Sequence, residues 1–215
     1  MLIQEVLHFF GRAICHQLEE RSLLASGETL SVCARDTGIY IGVISTLAYL
    51  HLFKRRKKMT IPTIKTSLFL LLFMVPMAVD GFGSYAHLFR STNLRRLVSG
   101  TSFGFVLPYF VYPLLSAAAL QNKSEPVVTC RKDVLLPMLL GSILSVLVYW
   151  GLLPYFVIDS LIIFTIIMWF CLLSSFIFSW IQTSSIGLKW ALSIISGIVF
   201  LSLFSLLHGY AFSYL

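Results

Sequence analysis

The chain has 215 residues, 58% of them hydrophobic and 12% charged, with a mean hydropathy of +0.88. Soluble domains carry about 25% charged residues, roughly twice this share, so composition excludes an ordinary soluble domain and points to an integral membrane protein. A net charge of +7 would suit nucleic acid in a soluble chain, but the basic loops of a membrane protein account for it, and no nucleic-acid partner is expected.

Residues 1–14, MLIQEVLHFFGRAI, are amphipathic and too polar to span. They lack a basic start, Gln4, Glu5 and His8 interrupt the apolar run, and Ile14 is too bulky to precede a lipoprotein cysteine. This predicts an interfacial helix rather than a signal peptide. A first span is predicted over 38–53; its ~24 Å rise is short for a ~30 Å hydrocarbon core. The basic run Lys54-Arg55-Arg56-Lys57-Lys58 stops it. A second span over 61–79 ends at Asp80, and 81–99 is a polar excursion in which Gly81 and Gly83 permit a tight bend. Further spans are predicted over 100–120, 134–150, 155–180 and 190–208. The expected fold is therefore all-α: a polytopic membrane helical bundle of about six transmembrane helices plus the interfacial helix. It forms one domain, 1–215, with a motif region over 1–37, three spans carrying the polar site over 38–120, and a three-span scaffold over 121–215.

Placing the 54–65 loop in the cytoplasm puts every lysine, together with Arg55, Arg56 and Arg131, inside. Arg12, Arg21, Arg35, Arg90, Arg95 and Arg96 are left outside. The excess predicts an exocytoplasmic amino end and motif region. Outer arginines without lysines read as chosen for geometry, because arginine grips carboxylate and phosphate through a bidentate fork.

The densest chemistry lies between Cys15 and Gly42, CHQLEERSLLASGETLSVCARDTGIYIG. Its elements are Cys15-His16-Gln17, Glu20-Arg21-Ser22 and Cys33-Ala34-Arg35-Asp36-Thr37-Gly38-Ile39-Tyr40, followed later by Asp80-Gly81 and Ser91-Thr92-Asn93-Leu94-Arg95. In order and spacing these resemble the pattern CHQ…ERS…CxRCTGIYxG, DG and STN-x-R of a family of small prokaryotic membrane proteins known only as a domain of unknown function. The resemblance covers about the first half of the chain. It implies a multi-spanning protein of the prokaryotic cell membrane and supplies no activity. Position 36 departs from it: Asp stands where the pattern has Cys.

Cys15, His16, Cys33 and Asp36 are residue types that hold zinc in a tetrahedral shell, with Asp36 offering a harder oxygen. Cys15 and His16 are adjacent, which makes it difficult to aim both at one ion. A Cys15–Cys33 disulfide in an oxidising compartment and two plain structural thiols are the alternatives. Asp36 fits equally well as a helix cap, and Glu20 with Arg21 as a solvated helix face. Asp80, at the end of a span, is where an ionisable group is costly and often functional; Arg35, Arg95 or a metal would be its partner. Ser91, Thr92 or Asn93 can cap a short helix carrying Arg95 and Arg96. Its amides and arginines suit an anion such as a lipid phosphate, or bulk headgroups. The short loop between the first two spans predicts an antiparallel hairpin that brings Asp80 to the motif end.

Three function classes follow. In a metal-assisted membrane enzyme, Asp80, Glu20, Arg35 and Arg95 are the catalytic candidates. Arg21, Asn93 and Arg96 would bind the substrate, a membrane lipid or lipid-linked anion. A thiol-disulfide redox protein would use Cys15 and Cys33, without a close resolving thiol at 36. The third class is a transporter or accessory subunit, against which stands the lack of repeated halves.

Overall fold

The computed structural model describes residues 2–54, 59–115, 124–179 and 186–212. Arg55, Arg56, Lys57, Lys58 and Lys123, on which the charge asymmetry leans, lie outside them, as do 116–120 of the third expected span. The described chain is overwhelmingly helical and forms two compact units, Met1–Cys33 with Leu153–Leu215, and Ala34–Leu152.

In the first unit, α1 (Leu2–Arg12) is the expected amphipathic helix, burying Leu7 and Gly11. A single 3₁₀ turn, Glu19–Arg21, leads into a hairpin of β1 (Ser22–Ala25) and β2 (Glu28–Cys33). An all-helical reading of this stretch missed the hairpin. Its cause is local: Ser26 (φ 51°) and Gly27 (φ 85°) both take left-handed backbone, as a two-residue turn matched to strand twist requires. The long helices α7 (Tyr155–Ser179) and α8 (Ile186–Phe212) complete the unit. Helix α1 lies on α8, where Ser205 Oγ donates to the Phe9 carbonyl (2.6 Å). It also lies on β2, where a Cβ on Gly11 would meet the Ser31 carbonyl.

Asp159, fully buried on α7, holds the hairpin. Its carboxylate accepts from Ser31 N (2.9 Å) and Ser31 Oγ (2.5 Å). Asp159→Leu leaves the Ser31 N–H buried and unbonded, so this change is expected to cost about 1–3 kcal/mol. Thermal unfolding in mild detergent measures it; an unchanged midpoint would remove the hairpin-anchoring role.

The second unit is built around α2 (Ala34–Tyr49), eleven of whose sixteen residues are buried, continued by a π-helical turn over Leu50–Lys54. Its neighbours are α3 (Ile64–Leu72), α4 (Val75–Tyr85), α5 (Asn93–Leu114) and α6 (Lys132–Tyr149). Helices α2 and α5 run parallel and meet through small residues. Gly38 and Gly42 lie on backbone of α5, while Gly100 and Gly104 lie on the Arg35 and Ile39 carbonyls. The expected Gly100/Gly104 packing pair thus has a matching pair on α2. Two-residue strands β3 (Met59–Thr60) and β4 (Glu125–Pro126) pair in parallel, beside a core of Tyr49, Leu50, Leu70, Phe105, Tyr109 and Val127.

Among the described residues, five stretches are long and apolar enough to cross a membrane: Ile64–Tyr85, Asn93–Leu114, Lys132–Tyr149, Tyr155–Phe178 and Gly187–Ala211. The remaining expected span, 38–53, falls in α2 and its π turn, the buried centre of its unit. The bend expected at Gly81 and Gly83 is absent, since α4 runs straight through both. The break comes earlier, at Phe73–Met74, because Pro76 at the start of α4 cannot continue the hydrogen-bond ladder of α3. Gly83 instead makes room for the Phe89 ring.

Candidate functional site

Within the first unit the two motif cysteines come together. Their sulfurs lie within 4.8 Å of one another. Cys15 is buried at the end of the turn after α1, and Cys33 ends β2. The Cys33 N–H donates to Cys15 Sγ at 3.1 Å. Gln17, left-handed at φ 54°, fixes this corner: its Nε2 donates to the His8 carbonyl (2.8 Å) and the Ser31 carbonyl (2.9 Å). All four cysteines are thiols in this structure.

His16 goes elsewhere. Its ring stands edge-on to His208, centroids 4.7 Å apart, and His208 Nδ1 bonds the Arg12 carbonyl at 2.6 Å. Adjacent Cys15 and His16 thus take opposite directions, Cys15 buried and His16 exposed. Glu20 and Arg21 pair with each other at 3.3 Å, both largely exposed, on the 3₁₀ turn and not on a helix face.

In the second unit the structure gathers Arg35, Asp80, Ser91 and Arg95 at one end. Asp80, 5% exposed, is the last charge of α4. Arg35, in the first turn of α2, ion-pairs with Asp80 Oδ2, and Ser91 Oγ donates to Asp80 Oδ1. Both carboxylate oxygens are engaged, which positions Arg35. The Arg35 Nε is buried with no hydrogen-bond partner among the described residues. Thr92 caps α5, accepting from Arg95 N at 3.3 Å; of the three capping candidates it is the one used. The Arg95 guanidinium lies over the Phe89 ring, 5.6 Å from its centroid, and Arg96 donates to Asn93 Oδ1 at 3.2 Å. Asp36 sits in the first turn of α2, two residues inside the helix rather than at its cap position, where its charge complements the helix dipole.

A second polar cluster, which sequence reasoning missed, closes the far end of this unit. Asp133, 2% exposed, accepts from Lys54 Nζ (2.8 Å), Tyr49 OH (2.7 Å), Thr129 N (2.7 Å) and Cys130 N (3.0 Å). Lys54 reads in sequence as the first member of a solvated basic run, yet it is 6% exposed. The available signal was Asp133 itself, a carboxylate at the head of an apolar run.

A family model described as "Predicted membrane protein (DUF2085)" matches residues 15–110. An uncharacterized protein of Methanocaldococcus jannaschii is 34% identical over 101 residues, which is 47% of this chain and 63% of the relative. An uncharacterized protein of Methanothermobacter thermautotrophicus is 33% identical over 96 residues, 45% of this chain and 82% of the relative. No solved structure matches the chain.

Proposed function

The chain belongs to that family of predicted membrane proteins, and from this premise we propose that it is a multi-pass protein whose motif region holds zinc and which acts on an anionic lipid or lipid-linked substrate. The observation that carries the reading is the Cys15–Cys33 pair, two sulfurs within 4.8 Å with an amide donating to one of them. Zinc–thiolate bonds of ~2.3 Å place two ligand sulfurs within that reach, and amide-to-sulfur bonds are the usual outer-shell support. Asp36 is the third ligand that the sequence spacing Cys33-x-x-Asp36 provides. Three protein ligands leave a fourth position open, the pattern of a catalytic rather than a structural zinc. His16 is omitted from the set because its ring is engaged with His208. Zinc held there would supply Lewis acidity and an activated water.

The chain's own residues take the anion. Arg35, held in place by Asp80, and Arg95 at the α5 start offer guanidinium forks, and the amides of that helix start add partial positive charge. Asp80, with both oxygens bonded, is a positioning residue for Arg35. The motif side is assigned to the exocytoplasmic face on the charge asymmetry of the loops.

Metal analysis of the full chain, purified in mild detergent without chelator, is expected to find zinc in proportion to protein in the wild type and a loss of most of it in Cys15→Ser and Cys33→Ser. The thiol-redox reading draws on the same pair. It predicts instead a metal-free protein in which both thiols resist alkylation until a reductant is added. That result would overturn the zinc site.

A further inference from the structure

The second unit carries a groove that no polar chemistry explains. It has a volume of about 410 Å³ and runs between α5 and α6, within the 300–1,000 Å³ range of small-molecule sites. Leu94, Val98 and Phe105 form one wall, and Met138 and Val146 the other. Gly42 and Gly141 deepen its floor, where Thr101 Oγ1 and Ser145 Oγ satisfy each other at 2.9 Å. With those hydroxyls paired, the groove is mostly hydrocarbon, the hydroxyls of Ser102 and Ser142 being the other small polar groups on its lining. Its mouth faces outward between two helices long and apolar enough to cross a membrane, since Leu94, Val98, Met138 and Val146 are all exposed.

Two features commit the groove to one occupant. The first is length. Leu94 to Phe105 is eleven helical steps, about 17 Å, close to the ~15 Å hydrocarbon depth of one leaflet. The second is cationic charge directly at one end, whereas Arg131 and Lys132 stand more than a turn of α6 beyond the other. Leu94 adjoins the capped start of α5, where Arg95 is held over Phe89 and Arg96 follows. Trp150, 71% exposed, marks the same end on antiparallel α6, as aromatics mark headgroup level. At the other end the groove closes against Pro137 and Phe105.

We propose that this groove seats one acyl chain of an anionic glycerophospholipid, with the headgroup phosphate at Arg95 and the α5 start. This deepens the reading of an anionic lipid substrate and rests on it for the lipid's being acted upon; the seat itself is independent of zinc. Bulk lipid would wet every apolar face alike. A groove of leaflet depth with cationic groups at one end selects by headgroup.

The test reconstitutes the full chain in phosphatidylcholine vesicles holding a minor fraction of phosphatidylglycerol with a diazirine in its acyl chain, or the same probe on phosphatidylcholine. Adducts are mapped by mass spectrometry after irradiation. The expected result is labelling concentrated on 94–105 and 138–150, favouring the anionic probe about fivefold, the factor one arginine near the surface gives. Arg95→Gln should abolish that preference while labelling persists. Ser142→Trp or, separately, Val98→Trp should fill the groove and remove the labelling; both positions are exposed, so neither change disturbs the packed interior. Labelling spread evenly over the apolar faces of α7 and α8 would overturn the proposal, as would equal labelling by both probes or cross-links to another protein chain. Zinc content, measured on the same samples, is a separate readout. Its absence beside intact groove labelling would sink the zinc reading alone, and its presence beside featureless labelling would sink the groove alone.

Discussion

Replacing Gly104 with leucine is expected to prevent the second unit from assembling. A Cβ at this position would fall on the carbonyl and Cα of Ile39. Those are backbone atoms of the central helix, so no rotamer change can relieve the clash, and α2 and α5 would have to separate. Membrane helices have little hydrophobic drive toward one another and rely on close packing through small residues. Separation therefore forfeits the contact that organises the unit. Gly38, Gly42 and Gly100 are under the same constraint from the facing helix. Overpacking costs typically about 1–3 kcal/mol and occasionally more; with four glycines interlocked, Gly104→Ala should fall at the upper end and Gly104→Leu beyond it. The readout is the melting midpoint and the monodisperse fraction on size exclusion in mild detergent. Gly81→Ala is the control. It lies inside α4 where a Cβ meets nothing, so it should be neutral or stabilise by up to about 1 kcal/mol. A Gly104→Ala protein melting with the wild type would show that the interface is not tight.

The second large effect is at the opposite end of the same unit. Lys54→Met is expected to destabilise by about 3–5 kcal/mol, because removing one partner of a buried pair leaves an uncompensated charge. Asp133 keeps the Tyr49, Thr129 and Cys130 donors. These soften the loss without cancelling it, since none of them carries charge. Asp133→Asn should cost a comparable amount by leaving the buried Lys54 charge without a counter-charge, its remaining contacts being neutral oxygens such as Thr129 Oγ1 at 3.0 Å. The double change Lys54→Met with Asp133→Asn is expected to be less damaging than the sum of the two, as both desolvated charges are then gone. Unfolding of the four proteins under one condition closes the cycle. Strict additivity would mean that the 2.8 Å contact carries no coupling energy, and the far-end clamp would then be a packing feature only.

Composition and hydropathy alone determined that the chain is a membrane protein built on long helices, because a run of about twenty apolar residues satisfies its backbone in lipid as a helix. The motif residues were equally legible. Cys15, Cys33, Arg35, Asp80 and Thr92 announce themselves as polar groups in unusual places. The Arg35–Asp80 contact was reachable from the hairpin argument, since Arg35 was the nearest counter-charge at the end where Asp80 sits. What pattern could not supply was direction. Cys15 and His16 are neighbours in sequence, yet one meets Cys33 and the other His208, at a corner where a left-handed Gln17 donates to two carbonyls. The β-hairpin escaped notice because its two strands are short and β2 is buried over Leu30, Ser31 and Val32, which erases the alternation that marks a strand.

Asp159 and Asp133 show the same limit more sharply. Each is a carboxylate in or beside an apolar run and so, on depth alone, a functional candidate. The tertiary structure decided their partners: Ser31 for one and Lys54 for the other, at 128 and 79 residues' separation. A buried charge is stabilised by whatever reaches it within hydrogen-bond distance. Hydropathy counts how many groups must leave water, but only the packing of helices over those separations determines which groups they meet when they do.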